Sequence, residues 1–256
     1  MREPVSSEST PPSIPWLAES LRYTSFIPGR IEADLRSWWD ATTGTDPDKI
    51  QIEPKSDSQT IEGIVEEKRI VLHFTRSRVN WYWAPNETQL LGEFPIRSIG
   101  EYENALPEYL EMMDRWLSLE KLPDFQRIAF GAVLIYPVAS LDEGYTRLQG
   151  LIPSLSIDSS TSKEFEYSIN RPIEISVNDE QIQINRLSKW SMKNYKVLSI
   201  DPQGSQHAAQ QHLCRLELDI NSSEDRAGAL PRPEIPTLFH QLVDLGIQIS
   251  EHGELV

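Results

Sequence analysis

The clearest alternation of apolar and polar positions lies in residues 165–192, on either side of Asn178-Asp179. Successive side chains of a strand lie on opposite faces, and a short polar pair of this kind is typical of a two-residue turn. The pattern predicts a β-hairpin in which Val177 pairs with Glu180 and Arg171 faces Arg186. The other pairs predicted on the same apolar face are Phe165 with Met192, Tyr167 with Trp190, Ile169 with Ser188, Ile173 with Ile184, and Ile175 with Ile182.

Short apolar runs elsewhere predict further strands, and apolar positions at helical spacing predict helices. The predicted strands span 60–67, 69–75, 78–85, 126–138, 195–200 and 212–221, and the predicted helices span 30–42, 104–119, 140–152 and 234–246. Asn104 as N-cap places Pro107 in a first helical turn, where a missing N–H costs nothing, and Gly246 is predicted to end the last helix. Residues 15–21 are predicted as a helical turn and 44–58 as a loop.

Both halves of the chain contain several strands followed by a helix, which predicts an α+β protein. We expect two lobes, each an antiparallel sheet with a helix packed on one face. The predicted divisions are a flexible tail at 1–14, an N-terminal lobe at 15–153 and a C-terminal lobe at 154–256.

The net charge and the cysteine content of the chain limit the kinds of partner and site that it can have. The chain has 256 residues, of which 39% are hydrophobic, and its formal net charge is −15. This charge repels nucleic acids and anionic lipids, so we expect neither a nucleic-acid partner nor membrane association. The single cysteine, Cys214, rules out an intramolecular disulfide and a thiolate zinc cluster. With no apolar signal-peptide core and no run long enough to span a bilayer, we expect a cytoplasmic protein.

Arg171 and Arg186 are the candidate site, because two cations face each other on an otherwise apolar surface. Like charges opposed on a sheet repel each other, and a buried unpaired charge costs several kcal/mol, on the order of 3–5. One interpretation is an internal ion cluster completed by Asp219, Glu217 or Asp225. The second is a site that takes a phosphate or carboxylate of a ligand or partner, flanked by Asn170 and Asn185. The third is a different register, since Pro172 limits ladder bonding nearby.

Other chemistry is weaker. His207, His212 and Cys214 lie close in sequence and are an alternative zinc or copper site, although their spacing matches no standard finger. His73 and His240 stand alone, and the sequence contains no phosphate-loop, dinucleotide-binding, nucleophile-elbow or zinc-protease motif. We predict no cofactor and no catalytic residue, and we favour a non-enzymatic protein over an enzyme.

Four short segments carry a resemblance to a known family: Val79–Trp83, Tyr102–Met113, Tyr167–Arg171 and Asp219–Asn221. Over residues 60–245 the chain resembles a sporadically distributed bacterial family of uncharacterised proteins. It departs from that family in its N-terminal extension and in a second Ile-Asn-Arg, at 184–186. The resemblance implies a bacterial cytoplasmic protein without an assigned reaction, and it transfers no catalytic residues.

The leading hypothesis is a non-enzymatic interaction or regulatory subunit of a bacterial protein complex, with a defence or toxin-control system as the suggested context. A strong core, an acidic surface and strands available for pairing with a protein partner favour it. The alternative is a small-molecule or nucleotide-binding protein, or an enzyme, that holds an anion at the arginine pair.

Overall fold

A computed structural model of the chain describes residues 14–29, 31, 34–86, 96–177, 180–200, 206–226 and 228–255, without the side chains of 197–200, 206–209 and 255. The predicted tail, apart from Ile14, and the predicted turn at Asn178-Asp179 lie outside these residues. The strands are β1 (Leu17–Phe26), β2 (Lys49–Glu53), β3 (Ser58–Val65), β4 (Lys68–Thr75), β5 (Arg78–Pro85), β6 (Arg127–Val138), β7 (Glu166–Asn170), β8 (Ile173–Val177), β9 (Glu180–Ile200) and β10 (Gln206–Ser222). The α-helices are α1 (Leu35–Thr43), α2 (Tyr102–Leu117), α3 (Leu141–Leu151) and α4 (Ile235–His252).

All ten strands belong to one antiparallel sheet, in the order β2-β3-β4-β5-β1-β6-β10-β9-β7, with β8 also paired to β9. The α+β class is therefore confirmed in its coarse form, with strands dominating over helices. The two-lobe arrangement is not confirmed, because β6 from the first half of the chain pairs along its length with β10 from the second. The continuous apolar run of β6 suits this interior position in the sheet.

The helices cover one face of the sheet, called here the helix face. A row of directly opposed residues crosses that face: Leu72, Trp81, Tyr23, Phe130, Ile220 and Arg186. Phe239 of α4 packs against Tyr23 and Phe130 with ring centroids 5.1 and 6.2 Å apart. Trp116 of α2 packs edge-on against Trp81 at 5.6 Å. The other face, called here the open face, has no α-helix packed on it among the described residues. None of the helices in the described ranges is long and apolar enough to cross a bilayer.

Two strands lie where the sequence indicates no strand. β1 replaces the predicted helical turn, and β2 lies inside the predicted loop 44–58. β1 is hydrogen-bonded to β5 on one edge and to β6 on the other, with Leu21 and Tyr23 fully buried. This tertiary pairing overrides the weak local preference for a helix.

The predicted N-cap of α2 is wrong. The helix begins at Tyr102 rather than near Asn104, and Pro107 lies inside it rather than in its first turn. The start is held by the residues at the beginning of β1. The N–H of Tyr102 donates to the carbonyl of Trp16 at 2.8 Å, and Glu101 forms an isolated backbone β-bridge with Leu17. The predicted helix 140–152 corresponds to α3, whose start is capped by the Ser140 hydroxyl, which accepts from the N–H of Glu143 at 3.1 Å.

The prediction that Gly246 ends the last helix is also wrong. α4 continues to His252 and stops at Gly253, whose φ of +72° is in the left-handed region. Gly246 instead lies where the helix approaches the sheet, and a Cβ there would come within 2.9 Å of the buried ring of Phe130. The glycine is required by this close approach.

Gly246→Ala is expected to lower the free energy of unfolding by about 1 kcal/mol, because overpacking costs more than the gain in helix propensity. Gly150→Ala in α3 is the matched control, since a Cβ there meets nothing within 4 Å. The control is expected to stabilise by roughly 0.5–1 kcal/mol. Urea unfolding followed by tryptophan fluorescence measures both, and a gain at both positions would contradict the close approach.

Candidate functional site

The predicted register of the hairpin is confirmed over all the described pairs. β8 pairs Val177 with Glu180 and Ile173 with Ile184, and β7 pairs Tyr167 with Trp190. Between β7 and β8, the N–H of Arg171 donates to the carbonyl of Arg186 at 3.2 Å. The two arginines therefore face each other on the helix face, as the alternation predicts.

The carboxylate at this pair belongs to Glu254, in the short 3-10 helix Gly253–Leu255 that follows α4. Arg171 Nε lies 3.0 Å from Glu254 Oε2. Trp190 Nε1 donates to Glu254 Oε1 at 2.8 Å, and the hydroxyl of Ser188 donates to the same oxygen. The Glu254 side chain is only 4% exposed. Its charge is thus compensated by one guanidinium and two further hydrogen bonds.

Arg186 is 9% exposed and completes the cluster. Its Nε donates to the carbonyl of Arg171 at 3.0 Å. Burial lowers the pKa of the Arg186 guanidinium below its ordinary value, the nearby carboxylate of Glu254 acts in the opposite direction, and Arg171 adds to the lowering. One buried carboxylate between two guanidiniums gives the geometry of an internal ion cluster. We call Arg171, Arg186 and Glu254, with Ser188 and Trp190, the C-terminal cluster.

The three acidic residues proposed from the sequence are engaged elsewhere. Asp219 pairs with Arg22 at 3.1 Å, Glu217 pairs with Arg215, and Asp225 bonds Ser223. Sequence reasoning misses Glu254 because it ends the last helix at Gly246, which leaves residue 254 outside any predicted element. The signal that would have found it is the continuation of apolar spacing through Ile247 and Ile249.

Asn170 and Asn185 do not join the arginines at one site, because neighbouring residues of a strand lie on opposite faces. They form an amide chain on the open face instead. Asn170 Nδ2 donates to Asn185 Oδ1 at 3.0 Å, and Asn185 Nδ2 donates to Asn221 Oδ1 at 3.1 Å. Asn170 Oδ1 also accepts the backbone N–H of Arg186 at 3.0 Å, so the chain supports the hairpin. Whether the four residues bind an anion or a partner stays a prediction.

A shallow groove of about 290 Å³ lies on the open face next to this amide chain. The guanidinium of Arg22 lies over Gly131, where a Cβ would be 3.0 Å from Arg22 Nε. The groove also contains Lys189, Glu217 and Asp219. Its lining therefore has two cations and two carboxylates, which cross-pair: Arg22 with Asp219 at 3.1 Å and Lys189 with Glu217 at 3.8 Å. There is no excess of positive charge for a polyanion such as a nucleotide.

The weak metal alternative gains no support from the described side chains. Cys214 is fully buried, and burial raises the pKa of its thiol to about 12. The side chain of His207 lies outside the described residues. Among the residues that are described, no three His, Cys, Asp or Glu side chains are grouped to hold a metal ion.

β2 is the feature that the sequence did not reveal. Its five residues are all exposed, and among the described strands it pairs only with β3. Ile50 is 48% exposed and Ile52 is 62% exposed, although both lie on the helix face, opposite Ile61 and Gln59. An edge strand with unpaired backbone groups and exposed isoleucines is a template for another strand.

Arg186→Glu is expected to lower the free energy of unfolding by about 3 kcal/mol or more, since two buried carboxylates would then share the C-terminal cluster. Arg76→Glu is the control for net charge. That side chain is 64% exposed and pairs with Asp57, so its reversal is expected to cost under about 1 kcal/mol. Thermal and urea unfolding compare the two variants. Near-wild-type unfolding of Arg186→Glu would contradict a structural role for the cluster.

No protein-family model matches this chain, and no curated protein matches it. The resemblance to a bacterial family therefore stays a prediction.

Proposed function

We propose that this chain is a non-enzymatic interaction or regulatory subunit of a bacterial protein complex, and that it binds its protein partner by adding a strand to the free edge of β2. The observation that carries the proposal is the pair of exposed isoleucines, Ile50 and Ile52, on an edge strand. Strand addition uses backbone hydrogen bonds for affinity and alternate side chains for specificity.

The energetics favour this edge over the rest of the surface. Covering an isoleucine that is half exposed or more removes apolar area from water and contributes on the order of 1 kcal/mol. The backbone groups along the outer edge of β2 need no rearrangement to accept a partner strand. By contrast, the open-face groove presents charges that already pair with one another, so a ligand there would have to displace Arg22 from Asp219.

The alternative from the sequence, an anion clamp at Arg171 and Arg186, receives less support. A ligand phosphate or carboxylate would have to displace Glu254, which also accepts hydrogen bonds from Ser188 and Trp190. That exchange would expose one buried carboxylate in order to bury another anion. The net gain is small, because the incoming anion would lose its hydration without adding a new kind of contact.

Ile52→Lys is expected to weaken partner binding by about tenfold or more, since it removes an isoleucine worth roughly 1.5–3 kcal/mol when buried. Ile64→Lys is the matched control, because Ile64 on β3 is 45% exposed but is not on the edge strand. Tagged wild type and both variants would be expressed in cells with a photo-crosslinking residue at position 51 or, as a second site, at position 189.

We expect one partner protein, in stoichiometric amount, to crosslink to position 51. This crosslink is expected to be retained in Ile64→Lys and lost in Ile52→Lys. A protein that crosslinks from position 189 and binds Ile52→Lys as well as wild type would instead place the interface at the open-face groove. Absence of any crosslink from position 51 would also contradict the proposal.

A further inference from the structure

We infer that the strand added to β2 is the β2 of a second copy of this chain, so that two sheets join edge to edge about a two-fold axis at Gln51. This inference rests on the proposed function of the β2 edge and names its partner. The occupant is identified by the sequence of the strand itself, Lys49-Ile50-Gln51-Ile52-Glu53.

The strand is self-complementary when it is read antiparallel about its central residue. Lys49 then lies opposite Glu53 of the second copy, Ile50 lies opposite its Ile52, and Gln51 lies opposite its Gln51. Opposite charges and β-branched residues are the cross-strand pairs that stabilise an antiparallel ladder, and glutamine side chains form hydrogen bonds to each other. Within the single chain Gln51 Nε2 donates to Glu53 Oε1 at 2.9 Å, and both of these residues are exposed.

The faces of the two sheets also agree. Ile50 and Ile52 lie on the helix face, because they pair within the chain with Ile61 and Gln59. Lys49 and Glu53 lie on the opposite, open face. Pairing about Gln51 therefore places four isoleucines together on the helix face, next to the buried Ile61, and two ion pairs on the open face.

In the paired sheets Lys49 lies between two acidic residues, one from each copy. Within its own chain its Nζ lies 3.2 Å from Glu62 Oε1 across the β2–β3 pair. Glu53 of the second copy would lie on its other side, in the same row across the joined sheet. The Lys49 side chain is 60% exposed in the single chain, so a second carboxylate has access to it.

Other antiparallel registers lose this complementarity. A shift by two residues places Lys49 opposite Gln51 and leaves each Glu53 without a cation. A shift by one residue pairs isoleucines with polar residues and brings opposite faces of the two sheets to one side. Pro47 and Pro54 flank the strand and confine the ladder to the residues between them.

The dimer depends on concentration, because about five residue pairs bury less surface than a standard interface of roughly 1,600 Å². The net charge of −15 on each copy also opposes association, although the strand itself carries one lysine and one glutamate. A two-fold axis closes the assembly at two copies, since each copy then uses its β2 edge.

A cysteine at position 51 tests the register directly. Opposed Cα atoms of an antiparallel pair lie about 4.5–5.5 Å apart, which is within the span of a disulfide. Gln51→Cys with copper phenanthroline as oxidant is expected to give a covalent dimer in high yield. Ser56→Cys is the control, because Ser56 is exposed and lies three residues past the end of β2, and this variant is expected to stay monomeric on a denaturing gel. The native Cys214 is buried, so it does not contribute.

Charge exchange tests the pairing without a crosslink. Lys49→Glu alone places two carboxylates opposite each other at both ends of the ladder, and Glu53→Lys alone places two ammonium groups there. Each variant is therefore expected to weaken self-association about tenfold in sedimentation equilibrium. A one-to-one mixture of the two variants restores both ion pairs and is expected to dimerise within about threefold of wild type. Melting curves confirm that Lys49→Glu, which also loses the contact to Glu62, remains folded.

The outcomes separate this inference from the proposed function. Covalent dimers of Gln51→Cys and recovery in the mixture support self-pairing. Self-pairing is overturned if the wild-type chain stays monomeric, Gln51→Cys forms no covalent dimer, and the photo-crosslinking residue at position 51 captures a different protein. If that protein is also lost in Ile52→Lys, the proposed function remains in place. Absence of both kinds of crosslink overturns both.

Discussion

The constraint on which this structure depends is the continuous antiparallel pairing of β5, β1, β6 and β10. Strands from both ends of the described chain meet there, so neither half holds its hydrophobic face without the other. Once those strands are in register, their large apolar residues form one surface, and α2 and α4 pack their apolar sides against it. A division into independently folded lobes would leave the β6–β10 ladder unmade.

The C-terminal cluster also depends on residues that are distant in sequence, at the far side of the sheet. On the apolar helix face Arg186 lies directly opposite Ile220. A guanidinium in that position needs a counter-charge. Glu254 reaches it because the chain turns at Gly253, where a Cβ would collide with the carbonyl of Leu151. The two arginines thus fix where the C-terminal segment lies.

The sequence predicted those elements whose evidence is local. The register of the hairpin follows from alternation, and β3, β4, β5, β6 and α3 are predicted to within two residues, whereas α1 begins five residues later than predicted. It failed where distant residues decide the outcome. β1 is a strand because it pairs with another strand on each edge, and α2 begins where the carbonyl of Trp16 accepts its first N–H. Gly246 lets α4 pack closely on Phe130, a residue that is distant in sequence. Glu254 lies beyond the predicted end of the last helix, and its partners are 64 to 83 residues away in sequence.

The two edges of the sheet are not equivalent, and the difference bears on what the protein does. At one edge, β7 and β8 are separated by Arg171 and Pro172, and a proline cannot donate to an added strand. Exposed acidic residues such as Glu166 and Glu174 lie on these two strands, which further blunts that edge. At the other edge, β2 has an uncharged centre, Ile-Gln-Ile, between one lysine and one glutamate. The sheet is thus protected against strand addition at one edge, and the β2 strand at the other edge is complementary to itself. Such a surface is suited to adding one strand and forming an assembly that does not extend further.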